Sequence, residues 1–362
     1  MLLYLFVFII SIISTRKVQL TKENSLLYYA YSFFAVAPLV FLVAIRDYNV
    51  GTDTINYVYL FESAVENKNN LTDYISSHPT FEFGFLFYNF CLAQLLSSVE
   101  SYFVVTYGII VGLTYLSALK VKKYISMHIF VFVFLFIFFS ESLNTMRQYL
   151  ALSFVFFALA CLFLKKINQS IIMLMIACTF HTSAVFSFLV VAFYFLSKKY
   201  PIKNHTILYL LICGFVFFVA ININQFSNMG LLPVFENKLS NHLSDSSNVS
   251  NSHIVIYFST LLFLLYVRNK YEISDFMILM ATFTMLFYIS PSVNAILYRL
   301  TLYFNIIICF SIAYAHRIIF DKISKLLCNM LLCLYLYFYY FSFVLNGTSE
   351  VIPYTSKILG IY

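Results

Sequence analysis

Long apolar runs separated by short polar connections recur along the whole chain, and the connections are mostly basic. Runs such as Leu26 to Ile45, Tyr102 to Leu119, Tyr124 to Phe139 and Thr206 to Ala220 approach or reach the roughly 17 to 25 residues that a helix needs to cross hydrocarbon. The pattern predicts helices near 2–14, 26–45, 102–119, 124–139, 148–164, 170–180, 183–196, 206–220, 254–267, 273–290, 296–315 and 326–345, with an ambiguous apolar stretch at 84–98. The first run, Met1 to Ile13, lacks a basic leader and a small-residue cleavage site, so it is expected to remain as a short membrane helix. The fold class is therefore all-α, a polytopic integral membrane protein with about 12 (11 to 14) transmembrane helices. No internal repeat and no linker is visible, which predicts one membrane domain over residues 1–362.

The basic clusters fix the orientation. Arg16/Lys17/Lys22, Lys120/Lys122/Lys123, Lys165/Lys166, Lys198/Lys199/Lys203, Arg268/Lys270 and Arg317/Lys322/Lys325 hold 16 of the 22 Lys and Arg, and all are expected on the cytoplasmic side. Two larger loops, about 46–83 and 221–253, then fall outside. Between the first of these and Lys120, alternation demands an odd number of crossings where hydropathy suggests two. A re-entrant or interfacial helix at 81–98, carrying Glu82, Asn89 and Gln94 among apolar residues, resolves the parity, because polar segments at membrane depth are tolerated where they line a cavity.

Composition narrows the classes further. The 362 residues are 62% hydrophobic and only 10% charged, with a mean hydropathy of +0.87, whereas a soluble domain carries roughly a quarter charged residues. The net charge of +7 belongs to the interhelical loops, so it reports topology and no nucleic-acid partner. The seven cysteines (Cys91, Cys161, Cys178, Cys213, Cys309, Cys328 and Cys333) lie in or beside apolar runs without CxxC spacing, which reads as packing. No metal site and no cofactor is expected.

Three arginines break the positive-inside pattern at the outer ends of helices: Arg46, Arg147 and Arg299. An arginine costs about 2.5 to 3.5 kcal/mol at a helix centre and less near an interface, so each needs a partner. Taken singly, each is able to snorkel or to pair with an acid such as Asp47 or Glu141. Together they suggest a site for a lipid-linked phosphate or diphosphate, because guanidinium binds such groups in a planar, multidentate way. The same face holds candidates for proton chemistry in Asp47, Asp53, Glu82 and His181. His181 sits in the turn Cys178-Thr179-Phe180-His181-Thr182-Ser183, where a structural histidine is the competing reading. Gly51 permits a tight turn in Arg46-Asp47-Tyr48-Asn49-Val50-Gly51-Thr52-Asp53-Thr54, and Asp53 reads equally well as a simple helix cap.

The run from Arg46 through Val50-Gly51-Thr52-Asp53-Thr54 to Tyr57, then Glu82-Phe83-Gly84-Phe85, Asn144-Thr145-Met146-Arg147-Gln148-Tyr149, Phe180-His181-Thr182-Ser183-Ala184 and Tyr298-Arg299-Leu300-Thr301-Leu302-Tyr303, resembles the EpsG-like family of bacterial polysaccharide polymerases, a branch of the Wzy-type O-antigen and capsule polymerases. The likeness covers residues 40 to 305 or so; the last 50 or so residues add only hydropathy. The resemblance implies a glycosyltransferase in the bacterial cytoplasmic (inner) membrane that polymerises undecaprenyl-diphosphate-linked oligosaccharide repeat units at the outer face, releases undecaprenyl diphosphate, and works beside a chain-length regulator and a flippase. Asp53, His181, Arg147 and Arg299 are then the catalytic candidates. Arg46, Asn144, Gln148, Glu82, Tyr298, Tyr303 and Thr52 are candidates for holding the substrate or its diphosphate, with Arg46 either joining that task or fixing the Asp53 loop. Tyr57, Tyr298 and Tyr303 are aromatic candidates for sugar stacking, although for most of the 30 tyrosines a place in the interfacial aromatic belt is the better reading. A polysaccharide ligase, a lipid-linked oligosaccharide flippase and a membrane acyltransferase are the competing readings.

Overall fold

The computed structural model describes residues 1–228, 251–289 and 295–362, with side chains described for 1–218, 252–289 and 300–362. Among them the secondary structure is helical, with one isolated bridge pairing Ser356 and Ile361. Among the described residues, seven helices are long and apolar enough to cross a membrane: Leu2–Leu20, Leu26–Ala44, Val99–Lys120, Met146–Phe163, Thr182–Lys199, Leu300–Ile318 and Lys322–Leu345. Six shorter apolar helices accompany them: Phe83–Leu95, Met127–Ser142, Ile167–Phe180, Thr206–Phe218, Ser252–Arg268 and Asp275–Ile289.

Residues 1–185 and 339–362 form one compact unit, and residues 186–338 form another. In the first, α1 (Leu2–Leu20) and α2 (Leu26–Ala44) lead into a loop and two helices, α3 (Thr54–Glu66) and α4 (Leu71–Ser77). Then come α5 (Phe83–Leu95), α6 (Val99–Lys120), α7 (Met127–Ser142), α8 (Met146–Phe163) and α9 (Ile167–Phe180). Helix α8 is the centre and is mostly buried, whereas α2 is mostly exposed. Leu26, Leu27, Phe33, Phe34 and Phe41 of α2 are exposed, as suits a helix whose solvent is lipid. Aromatic rings fill the interior: Phe8 meets Phe136 and Phe139 edge-on at 5.4 Å, and Phe61 stacks on Tyr102 at 4.5 Å. Phe134–Phe139 inside α7 is π-helical and wholly buried.

Side-chain bonds between loops divide the ends of these helices into two sets. Gln19 donates to the carbonyls of Lys122 and Ile125 and accepts from the N–H of Met127, while Lys122 pairs with Glu23 at 2.7 Å. These are the basic connections. The other set joins Arg46 to Leu143, Glu82 to Arg147 and Thr182, and Asp47 to Lys357. Both ends of α5 belong with the second set: Glu82 precedes its first turn, Gln94 in its last turn donates to the carbonyl of Lys68, and Glu100 just beyond lies 3.5 Å from the hydroxyl of Tyr48.

The second unit is built on Leu300–Ile318, which is again mostly buried. The helix expected at 296–315 is present as Ala295–Asn305 and Ile307–Ile318, with Ile306 between them keeping right-handed helical backbone. Buried Asn305 donates to the hydroxyls of Tyr257 and Tyr288 at 3.2 Å each, and Thr260 bonds Tyr335 at 2.7 Å. Polar side chains inside hydrocarbon-facing bundles hold helices together when each finds such a partner.

Several expected boundaries shift. Helix α1 runs to Leu20 and takes in Arg16 and Lys17, since lysine and arginine are good helix formers and end an apolar run without ending a helix. The loop expected at 46–83 contains α3 and α4. The helix expected at 206–220 is Thr206–Asn228, so 221–228 is helical, and the remainder of that expected loop up to residue 250 lies outside the described residues.

Candidate functional site

The loop between α2 and α3 is fixed by its own polar groups. Arg46 is buried, 3% exposed, with its guanidinium 5.1 Å from the ring centre of Phe103 and 5.4 Å from that of Tyr107. Its Nη2 donates to Thr54 Oγ1 and to the carbonyl of Leu143, both at 3.2 Å. Thr54 Oγ1 in turn donates to the carbonyl of Val50 at 2.8 Å. Of the two tasks open to Arg46, this geometry serves the fixing of the Asp53 loop: a cation flanked by two aromatic faces and two oxygen acceptors ties the end of α2 to the turn after α7. Gly51 makes the approach possible. Its φ is +93°, and a Cβ there would lie 2.8 Å from Thr54 Oγ1 and 2.9 Å from the Leu143 carbonyl oxygen, so no other residue fits without displacing backbone.

Asn144 completes the fixing. Its Oδ1 accepts from Thr52 Oγ1 at 2.5 Å and from the Asp53 N–H at 2.7 Å. Thr52 and Asn144 thus bond one another. Asp53 occupies the position before α3, yet its side chain makes no capping bond. The simple-cap reading of Asp53 therefore fails, and a half-buried carboxylate stands at the lip of a rigid loop.

Across from this loop, Glu82 gathers three elements. Its Oε2 accepts from Arg147 Nη1 at 2.6 Å, and its Oε1 accepts from the N–H of Thr182 at 3.2 Å and its Oγ1 at 2.8 Å. Nδ1 of His181 lies 3.4 Å from the same Oε1. Arg147 sits in the first turn of α8, with its guanidinium 4.7 Å from the ring centre of Phe81. The side chain of Arg147 is 17% exposed, against 9% for Glu82. One edge of the guanidinium is spent on Glu82 and one face on Phe81, so the cation is held in place while part of it stays accessible.

Tyr57 links the two halves. It is buried, with its ring 6.1 Å from that of Phe85. Burial pushes its phenol up to about 12, the positive charge of Arg147 opposes that rise, and the charge of Asp53 adds to it. A phenol in that range stays protonated at neutral pH and is no base. What brings Asp53 and Arg147 to the same end of the bundle is Asn144, which bonds the Asp53 N–H and precedes Arg147 by one helical turn. Tyr57, one of the sugar-stacking candidates, is packed among apolar neighbours here.

Gly84 sets the distance between α5 and α9. A Cβ on it would fall 2.5 Å from the carbonyl oxygen of Thr179 and 2.6 Å from its Cβ. Backbone cannot yield as a side-chain tip can, so Gly84→Ala is expected to push the helices apart, lower stability by about 1 to 3 kcal/mol, and separate Glu82 from Thr182. Thermal unfolding in detergent checks this, and an unchanged midpoint would refute the close approach.

Of the remaining candidates, Gln148 is buried at 3% exposure. Tyr303 is fully buried in the second unit and offers no open ring face for a sugar. Tyr298 and Arg299 lie on Ala295–Asn305, but their side chains are outside the described residues. Phe81 and Thr182 were missed as site residues. Their signal was adjacency to Glu82 and His181.

Residues 29–356 match the family model described as the EpsG family. Comparison with curated proteins and with solved structures yields no match. The family match spans nearly the whole chain and includes the Asp53 loop, the Glu82 hub and Arg147, and on that ground this multi-pass membrane protein belongs to the EpsG family of polysaccharide-polymerase-type proteins.

Proposed function

We propose that the chain is a glycosyltransferase that joins oligosaccharide repeat units carried on undecaprenyl diphosphate, at the outer face of the bacterial cytoplasmic membrane. The observation that carries the reading is the Arg147 guanidinium, fixed by Glu82 and Phe81 yet partly accessible, one turn after Asn144, which holds the loop that carries Asp53. The side of the membrane follows from charge: the bonded set of loops that contains this site excludes the basic connections, which belong inside. In this orientation α5 leaves and returns to the outer face, the behaviour of a re-entrant or interfacial helix lining a cavity.

In the reaction, a hydroxyl of the incoming unit attacks the anomeric carbon of the growing chain. The new glycosidic C–O bond forms as the bond to the diphosphate breaks, and the electron pair leaves on the diphosphate oxygen. Arg147 stabilises that developing charge, a role for which a preorganised donor contributes roughly 3 to 4 kcal/mol. Asp53 takes the proton of the attacking hydroxyl. His181, whose Nδ1 faces Glu82, fixes the hub from behind, and Arg299 is a second candidate for the diphosphate. A flippase supplies the lipid-linked unit and a chain-length regulator limits the product.

The test is to incubate purified protein with lipid-diphosphate-linked repeat units, without nucleotide sugar and with a metal chelator, and to resolve the glycans by length. A ladder is expected, and Asp53→Asn is expected to slow its growth by about 100-fold. Transfer of intact glycan to a different acceptor would mark a ligase. Movement of lipid across liposomes with no change in glycan length would mark a flippase.

A further inference from the structure

The C-terminal segment returns to the Asp53 loop and bonds it residue by residue. The N–H of Gly51 donates to the carbonyl of Glu350 at 3.0 Å, and that of Thr52 to the carbonyl of Ser349 at 3.3 Å. The N–H of Asp47 donates to the carbonyl of Thr355 at 3.0 Å, and Asp47 Oδ1 accepts from the N–H of Lys357 at 3.0 Å. Thr355 Oγ1 donates to Asn49 Oδ1 at 3.2 Å, Ser356 Oγ to the carbonyl of Ile45 at 2.5 Å, and the Tyr354 hydroxyl to the carbonyl of Leu42 at 2.8 Å. From the other side, the Tyr4 hydroxyl donates to the carbonyl of Val351 at 3.1 Å.

Every backbone donor from Val50 to Thr54 is thereby used: Val50 on Asp47, Gly51 and Thr52 on the C-terminal segment, Asp53 on Asn144, Thr54 on Gly51. The segment adopts a costly shape to do this. Ser349 and Glu350 have φ of 65° and 50°, left-handed values that residues with a Cβ rarely adopt and that surrounding bonds must enforce. Those two residues are the ones whose carbonyls meet Gly51 and Thr52.

We infer that residues 347–357 are a positioning strap for the site, holding the Val50–Thr54 loop, and with it Asp53, in one conformation, and that Asp47 is the acid that anchors the strap. The catalytic benefit of the strap rests on the polymerase reading; the holding of the loop does not. Asp47 is thus a positioning residue, with no contact to substrate required.

Hydrogen exchange of the full-length protein in detergent, read on peptides covering 46–56, tests the strap, using Asp47→Ala and Asp47→Asn. Asp47→Ala removes the acceptor for the Lys357 N–H, and Asp47→Asn keeps an oxygen there. Exchange at Gly51 and Thr52 is expected to be strongly protected in the native protein, to rise by about ten-fold or more in Asp47→Ala, and to return to near-native values in Asp47→Asn. Polymerisation by Asp47→Ala is expected to lose about ten-fold in kcat with KM unchanged, and the loss is expected to vanish in an Asp53→Asn background, where the positioned group is already gone. Unprotected amides in the native protein, or equal protection in Asp47→Ala, would overturn the strap whatever the protein does to glycans. Raised exchange with undiminished kcat would overturn its positioning role. Raised exchange in a protein that builds no ladder at all would uphold the strap and remove the polymerase reading.

Discussion

Arg147→Ala is expected to abolish chain growth, with a loss of about 1,000-fold or more, while the protein still inserts in the membrane. The guanidinium is fixed by a 2.6 Å bond to Glu82 and by the Phe81 ring, so it meets the leaving diphosphate without having to be reorganised during the reaction. Alanine removes the donor and leaves the Glu82 carboxylate without its charge partner. Arg147→Lys keeps the charge and separates the two effects. An ammonium on a flexible stem pairs with Glu82, which restores most of the stability, but it lacks the planar fork that binds Glu82 and a phosphate oxygen together. Lysine is therefore expected to keep a near-native unfolding midpoint and to lose most of the activity. The assay is glycan length with time, next to thermal unfolding of the same preparation. Native chain lengths in either variant would remove Arg147 from the site.

The helical plan was legible because a bilayer imposes a simple rule on sequence: roughly 20 apolar residues per crossing, with basic residues held inside. The rule fails where a residue serves two masters. Arg16 and Lys17 end an apolar run but continue α1. The site was legible as a set of unusual side chains and not as a set of contacts. Arg147, Glu82 and His181 each stood out as charged or titratable groups at an outer helix end, but nothing in the chain order says that Glu82 bonds a residue 65 positions away and another 100 positions away.

The strap escaped altogether, for a physical reason. Its bonds to the loop use the backbone carbonyls of Ser349, Glu350 and Thr355, and every residue type supplies a carbonyl. Asn144 shows the opposite case. It is a substrate-contact candidate through the motif that resembles the family, and its Oδ1 is spent on Thr52 and Asp53. A polar residue near a site holds the loop as readily as it holds the ligand, and only the third dimension tells the two apart.

The second large effect is expected at Glu82, where stability and activity fall together. Glu82→Ala deletes the acceptor for Arg147 Nη1 and for both donors of Thr182, and removes the carboxylate beside His181. Removing one partner of a buried ion pair costs about 3 to 5 kcal/mol. The lower end applies here, because Arg147 retains 17% exposure and recovers some hydration. Glu82→Gln keeps the shape and an oxygen for Thr182, but its amide N–H₂ group turns a donor toward a donor at Arg147. It is expected to unfold at a higher temperature than Glu82→Ala and to polymerise no better. The double replacement Glu82→Leu with Arg147→Met removes both charges at similar volume, and recovers stability toward the native value with no polymer formed. That pattern separates a hub that merely holds the helices from one that aims a cation. If Glu82→Ala matched the native protein in unfolding and in chain length, neither the ion pair nor the aiming of Arg147 would survive, and the site would have to be rebuilt around Asp53 alone.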